Sequence, residues 1–194
     1  DRDPDVVVQG LWTPVKTGLL LPLDESWQDY AYGTRRGSDP SAVRYRFAHD
    51  RIQEAAIESV ASAERPALSL RIGRTLRGQG AVSGERIFDV VNHLSTARAL
   101  LETRAERDDL AELSLQAALA ARAATAYAGA LAYLVQGIEL LEEGWARRRA
   151  LMWALHRERI EVEFLTGNAE QARAVFAAVK GRAEGRREIG DIYQ

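Results

Sequence analysis

The amino-acid sequence predicts a mostly α-helical chain with a small α+β part at its N-terminal end. Three observations carry this. Four of the five prolines stand before residue 47. Two apolar bursts, residues 19–23 (LLLPL) and 43–47 (VRYRF), interrupt the same stretch. Beyond it runs a long tract rich in Ala, Leu, Arg and Glu, broken only by Pro66, in which apolar residues recur every three or four positions. The expected division is residues 1–62, a mixed part with a β-hairpin, and residues 63–194, a helical array.

The elements follow in order. Residues 6–17 predict a short helix with Pro14 late in it, ended by Gly18. Residues 19–23 read as a strand. Residues 24–42 hold Gly33, Gly37, Ser38, Asp39 and Pro40, which is loop chemistry. Residues 43–47 alternate apolar and charged side chains, as a half-buried strand does. Two strands joined by a long loop and flanked by helices suggest the hairpin of a winged-helix unit. Asp50 with Gln53 predicts a capped helix over 50–62. Pro66 opens the next helix, to about Leu76. Ser83 caps a helix carrying Ile87, Val90, Val91 and Leu94, and Thr103 with Glu106 forms another capping pair. Leu110, Leu113, Ala117, Ala120, Ala124 and Tyr127 form an apolar seam that Leu131, Leu134, Ile138 and Leu141 continue. Residues 145–166 predict a further helix, stopped by Gly167-Asn168, and Asn168 with Gln171 caps the last one.

Ala130 followed by Leu134, and Ala172 followed by Phe176, stand 42 residues apart. Small-then-large at one spacing on the second helix of a pair suits tetratricopeptide-like hairpins, where Ala lets two helices approach. Antiparallel hairpins of an α-solenoid are therefore expected. With no initiator Met and two or so repeat units, the chain is expected to be a segment of something larger.

Lys plus Arg total 26 and Asp plus Glu total 28, a formal net charge of −2, which argues against a dedicated nucleic-acid binder. Arg35, Arg36, Arg44 and Arg46 are the only support for DNA binding, and a solvated wing explains them as well. Cysteine is absent, excluding disulfides, thiolate metal sites and a cysteine nucleophile. No apolar run approaches the roughly 20 residues of a membrane-spanning helix, so no membrane partner and a cytoplasmic location are expected. The phosphate-binding GxxxxGK[ST], the GxSxG elbow and HExxH are all missing. His49, His93 and His156 have no second ligand at helical spacing, so no metal site is expected. His93 and His156 read as hydrogen-bonded helix residues at packing faces. Glu139, Glu142, Glu143, Glu158, Glu161 and Glu163 sit among arginines and read as solvated faces, as does Arg147-Arg148-Arg149.

One constellation is sharper. Residues 47–56, FAHDRIQEAA, join a strand end to a helix start. His49 would be aimed with the orphan N–H groups of the helix N-terminus, and together they could meet a phosphate. The plain alternative is a corner with His49 bonded to backbone and Asp50 as the cap.

That stretch resembles the F-x-H-D-R-hydrophobic-Q-x-A-A-Y motif just after the ATPase core of large bacterial multidomain signalling ATPases, of the serine/threonine kinase, ATP-binding and sensor histidine kinase type. The likeness continues in register through residues 11–20 (LWTPVKTGLL), 70–74 (LRIGR), 87–94 (IFDVVNHL), 113–134 and 164–176. Departures are Ile57 for a Tyr, Ser114 for an Asn, Ala118 for a Gly and Pro14 for a helix former; Ala48 also stands where the Met-His-Asp signature of related signalling ATPases has Met. The resemblance implies a winged-helix end of the ATPase module followed by tetratricopeptide-like helices. It implies a nucleotide-facing His49, with Asp50 and Arg51 beside it, and ATP or ADP with Mg held in an ATPase domain outside this chain. No cofactor and no catalytic residue is expected here. The function implied is a non-catalytic regulatory segment that relays nucleotide state to output kinase domains. Its partners would be the intramolecular ATPase and kinase domains, and other proteins or peptides. The alternative is a peptide-binding tetratricopeptide-like module of a bacterial transcriptional regulator.

Overall fold

The structure, a computed structural model, describes residues 4–23, 27, 44–80, 82 and 84–182. It is mostly helical with one small two-stranded antiparallel sheet. The chain divides into two compact units, residues 1–65 and 66–194.

In the first unit, helix α1 (Pro4–Lys16) carries Pro14 inside it. Gly18 ends it at φ +72°, a left-handed conformation that glycine adopts without steric cost. Gly18 N–H then bonds the Val15 carbonyl (3.1 Å) and Leu19 N–H the Pro14 carbonyl (2.9 Å), a Schellman closure. Strands β1 (Leu20–Pro22) and β2 (Tyr45–Phe47) pair antiparallel, with Leu20 opposite Phe47 and Pro22 opposite Tyr45. Ala48 N–H to the Leu19 carbonyl (3.0 Å) extends the pairing by one bond. Most of the predicted loop over 24–42 lies outside the described residues, as do Arg35 and Arg36.

Helix α2 (Asp50–Glu58) is shorter than the predicted 50–62 and is not capped by Asp50. His49 holds the N-cap position in an extended conformation, and its carbonyl accepts from Ile52 and Gln53 N–H. Asp50 is therefore the first helical residue, where its charge still suits the positive end of the helix dipole. The early stop has a local cause. Ser59 Oγ turns back onto the Ala56 carbonyl (2.7 Å), and the Arg65 guanidinium collects the carbonyls of Glu58 and Val60 (3.0 Å each).

The second unit holds α3 (Arg65–Gly78, from Pro66 onward), α4 (Arg86–Thr96), a 3₁₀ turn (Arg98–Leu100), α5 (Arg104–Ala123), α6 (Tyr127–Leu140), the single turn α7 (Gly144–Arg147), α8 (Arg149–Leu165) and α9 (Ala169–Lys180). Helix α4 packs on α5, α5 on α6, α6 on α8 and α8 on α9. The core between them is aliphatic, with Val90, Val91, Leu110, Leu134 and Leu155 fully buried. Each such side chain contributes roughly 1.5–3 kcal/mol by leaving water. Three glycines set the closest approaches: a Cβ at Gly73 would stand 2.6 Å from Leu94 Cδ2, one at Gly144 2.7 Å from Met152 Cγ, and one at Gly137 2.8 Å from Leu155 Cδ2.

The Thr103–Glu106 pair forms a full capping box at the start of α5. Three other predicted boundaries shift. The N-cap of α4 falls on Glu85 rather than Ser83, which lies outside the described residues. The seam read as continuous through Tyr127 breaks at Thr125, whose φ is +59°. Ala126 N–H bonds the Ala121 carbonyl (2.8 Å) and Thr125 N–H the Arg122 carbonyl (2.9 Å), a Schellman closure built without glycine. The helix predicted over 145–166 is split at Arg148 (φ −124°, ψ 43°). Asn168 holds the N-cap position of α9 but makes no side-chain cap, because its amide reaches back to Glu163 Oε2 and Thr166 Oγ1 (3.2 Å each).

Candidate functional site

His49, Asp50 and Arg51 stand together at the N-terminal edge of α2, directly after the β2 pairing, and all three are exposed. The His49 side chain makes no capping bond, contrary to a corner in which it ties to backbone. Ile52 N–H already bonds the His49 carbonyl, so the donors this edge offers beside the imidazole are the Asp50 and Arg51 N–H groups, which have no intrahelical acceptor. Among the described residues no group of three His, Cys, Asp or Glu could hold a metal ion, and no helix is long and apolar enough to cross a membrane.

The residues read as solvated faces do something else. In the second unit, ion pairs run from α3 to α5 and from α5 to the α7–α8 corner. Arg74 Nη2 meets Glu106 Oε1 (2.6 Å), and Arg77 Nη2 meets Asp109 Oδ1 (2.8 Å). Arg147 Nη1 lies 3.2 Å from Asp108 Oδ2, and Arg148 pairs with both Asp108 and Glu112. Arg122, near the end of α5, reaches Glu158 Oε2 (3.2 Å) and Glu161 on α8. The intervening helices are tied too: Arg98 Nη1 pairs with Glu139 Oε2 (3.2 Å), and Tyr133 Oη donates to Asn92 Oδ1 (3.0 Å). Arg147 and Arg148 are thus interhelical partners, not a plain solvent face.

Glu158 and Glu163 are buried, which corrects their reading as solvated carboxylates. Arg157 Nη2 donates to Glu158 Oε1 (2.9 Å), while Arg159 stands 3.8 Å from Glu163 Oε1. A buried carboxylate persists only where cations and donors compensate its desolvation. The electrostatics of the lattice agree. Asp109, by hydrogen bond and charge, raises the Arg77 pKa. Burial pushes Glu106 upward, but bonds from Arg74, the Thr103 backbone and the Thr103 hydroxyl together hold it below the usual carboxylate range.

His156 also departs from expectation. It stacks on Trp145 at 5.3 Å with 13° between planes, and its buried Nδ1 has no hydrogen-bond partner in the protein. Burial, then the charges of Arg159 and Arg182, lower its pKa to about 4. The lattice left a signal in the sequence. Arg74–Glu106 and Arg77–Asp109 share one separation, 32 residues, and Arg98–Glu139 and Asn92–Tyr133 share another, 41.

Comparison with known proteins adds one line of relationship. The chain is similar to a hybrid signal transduction histidine kinase G of Dictyostelium discoideum, 25% identical over 177 aligned residues. The match covers 77% of this chain, and the chain spans 5% of that protein's length. No family model and no solved structure matches. The similarity links the chain to a signalling protein.

Proposed function

We propose that this chain is a non-catalytic regulatory segment of a multidomain signal-transduction ATPase, which relays nucleotide state to output kinase domains. In this reading the first part is winged-helix-like, and the helices after it form a tetratricopeptide-like solenoid of the hairpins α3–α4, α5–α6 and α8–α9. The observation that carries it is the ion-pair lattice. Arg74–Glu106, Arg77–Asp109 and Arg122–Glu158 bridge the first helices of successive hairpins, Arg147 and Arg148 hold the α7–α8 corner to α5, and stiff, discretely packed arrays pass a displacement onward instead of absorbing it. The likeness to a histidine kinase supports the signalling context. The exposed His49, Asp50 and Arg51 are the face that meets the nucleotide. ATP or ADP with Mg is held by an ATPase domain elsewhere in the parent protein, whose intramolecular ATPase and kinase domains are this chain's partners.

The lattice also bears on the alternative, a peptide-binding module of a transcriptional regulator. A groove lined by the first helices would present ions already paired to one another, which favours rigidity over capture of a peptide.

The test uses the absence of native cysteine. Two introduced cysteines, one on α3 and one on α9, carry spin labels whose distance distribution is measured. A relay gives one narrow distribution that broadens when Arg147 and Arg148 are both replaced by Gln. A broad distribution in the unmodified lattice, or ATP turnover by this chain that His49→Ala abolishes, refutes the proposal.

A further inference from the structure

Helix α2 ends in a connector that carries its own hydrogen bonds. A helix leaves its last four carbonyls without intrahelical donors. In α2 these belong to Ala55, Ala56, Ile57 and Glu58, and each one is met. Ser59 N–H bonds the Ala55 carbonyl (2.9 Å), Ser59 Oγ donates to that of Ala56 (2.7 Å), and Val60 N–H bonds that of Ile57 (3.1 Å). The fourth donor comes from farther along the chain. Arg65 Nη2 donates to the Glu58 carbonyl, and Arg65 Nε donates to that of Val60 (3.0 Å each). Arg65 is itself tied down, because its N–H and that of Glu64 both bond the Ala61 carbonyl (3.2 and 2.8 Å). It opens α3, and Pro66 after it has a fixed φ.

Burial does not supply this order. Helix α2 has no buried residue, and of residues 59–65 only Val60 and Arg65 are half-buried. Residues 59–64, Ser-Val-Ala-Ser-Ala-Glu, contain no glycine, so the connector lacks the residue that turns most freely. From these bonds we infer that residues 59–65 form a latched corner, a stiff joint in place of a free linker, and that the Arg65 guanidinium is the latch. All of its groups lie in the first compact unit, residues 1–65. A planar guanidinium with several fixed donors holds two carbonyls at once, which an ammonium on a flexible stem does less well. Its charge also suits the negative C-terminal end of α2. Use of the corner as a joint rests on the relay proposed above. A linker free to turn absorbs a displacement arriving at α2, whereas a latched corner carries it to the start of α3. The latch itself does not depend on that reading.

The experiment uses the whole chain. Glu58 and Glu64 bracket the connector, so cleavage after them by a glutamyl endopeptidase reports how often it opens. Backbone amide relaxation measured by NMR over residues 59–64 reports its order. The expected order parameters are about 0.85 in the native chain, falling toward about 0.6 in Arg65→Met. In that variant cleavage after Glu58 and Glu64 should rise on the order of 10-fold, as two partly screened charged hydrogen bonds are lost, with the relaxation of α5–α6 unchanged. Arg65→Lys should fall between the two, and Arg65→Gln replaces Arg65→Met should the latter fold poorly. Order parameters below about 0.6 in the native connector overturn the inference. So do cleavage rates unchanged in all the variants, or a loss of order spread equally over α5–α6. The α3–α9 label distribution is read separately: a broad one refutes the relay and leaves the latch standing, and an unlatched connector refutes this inference alone.

Discussion

Replacing Arg122 with Met isolates the buried end of the lattice. Arg122 Nη1 stands 3.2 Å from Glu158 Oε2, and Glu158 is only 4% exposed. At that separation a unit pair interacts by about 5 kcal/mol at an effective dielectric of about 20. Arg122 itself is 29% exposed, so solvent screens part of this. Arg157 continues to hold the other oxygen of Glu158, which lowers the loss further. The expected destabilisation is about 2 kcal/mol, below the 3–5 typical of a fully buried pair broken on one side. For a chain of 194 residues that corresponds to a Tm lower by about 4–8 °C. Urea unfolding followed by circular dichroism measures it. The exposed pair Arg98–Glu139, whose side chains are 60% and 57% accessible, is the internal control, and Arg98→Met should cost under about 0.5 kcal/mol. Adding Glu158→Gln to Arg122→Met should recover most of the loss, because the uncompensated buried charge is then gone. Equal effects of Arg122→Met and Arg98→Met, or a double variant worse than the single, would refute the reasoning.

Thermal unfolding checks the other expectations. Thr103→Ala removes the hydroxyl half of the α5 capping box, leaving the Thr103 main-chain N–H on Glu106, and should cost about 1 kcal/mol. Thr125→Gly relieves a non-glycine residue at φ +59° and should stabilise by about 0.5–1 kcal/mol; a loss would mean that Thr125 contributes a contact worth more than the strain. Leu134→Ala, at a fully buried site between α5 and α6, should cost about 2–5 kcal/mol. Glu106 is held below the usual carboxylate range, so its stabilising effect is present above about pH 4.5 and is lost as pH falls through its lowered value; Glu106→Gln should flatten that part of the acid stability profile.

The helical elements were legible wherever periodicity and local chemistry agreed. The β1–β2 pairing, the Gly18 stop, Pro66 in the first turn of α3 and the Thr103–Glu106 box all rest on groups within a few residues of one another. Three of the misread boundaries share a physical cause. At His49, Thr125 and Arg148 the backbone turns without the residues that usually mark a turn, because the hydrogen bonds that close it run from main chain to main chain and carry no side-chain signature. The candidate corner His49-Asp50-Arg51 was found from sequence for the same reason the box was: it is one short run.

Composition and spacing alone thus determined that this chain is mostly helix with a small hairpin near its start, since secondary structure follows local bonding and the period of apolar residues. They did not reveal that Glu158 and Glu163 are buried, that Arg147 and Arg148 pair with α5, or that His156 lies against Trp145 under Arg182. Those facts depend on which helix packs against which. The interhelical ion pairs join residues 32 or more positions apart, and only the packed helices bring such partners within reach.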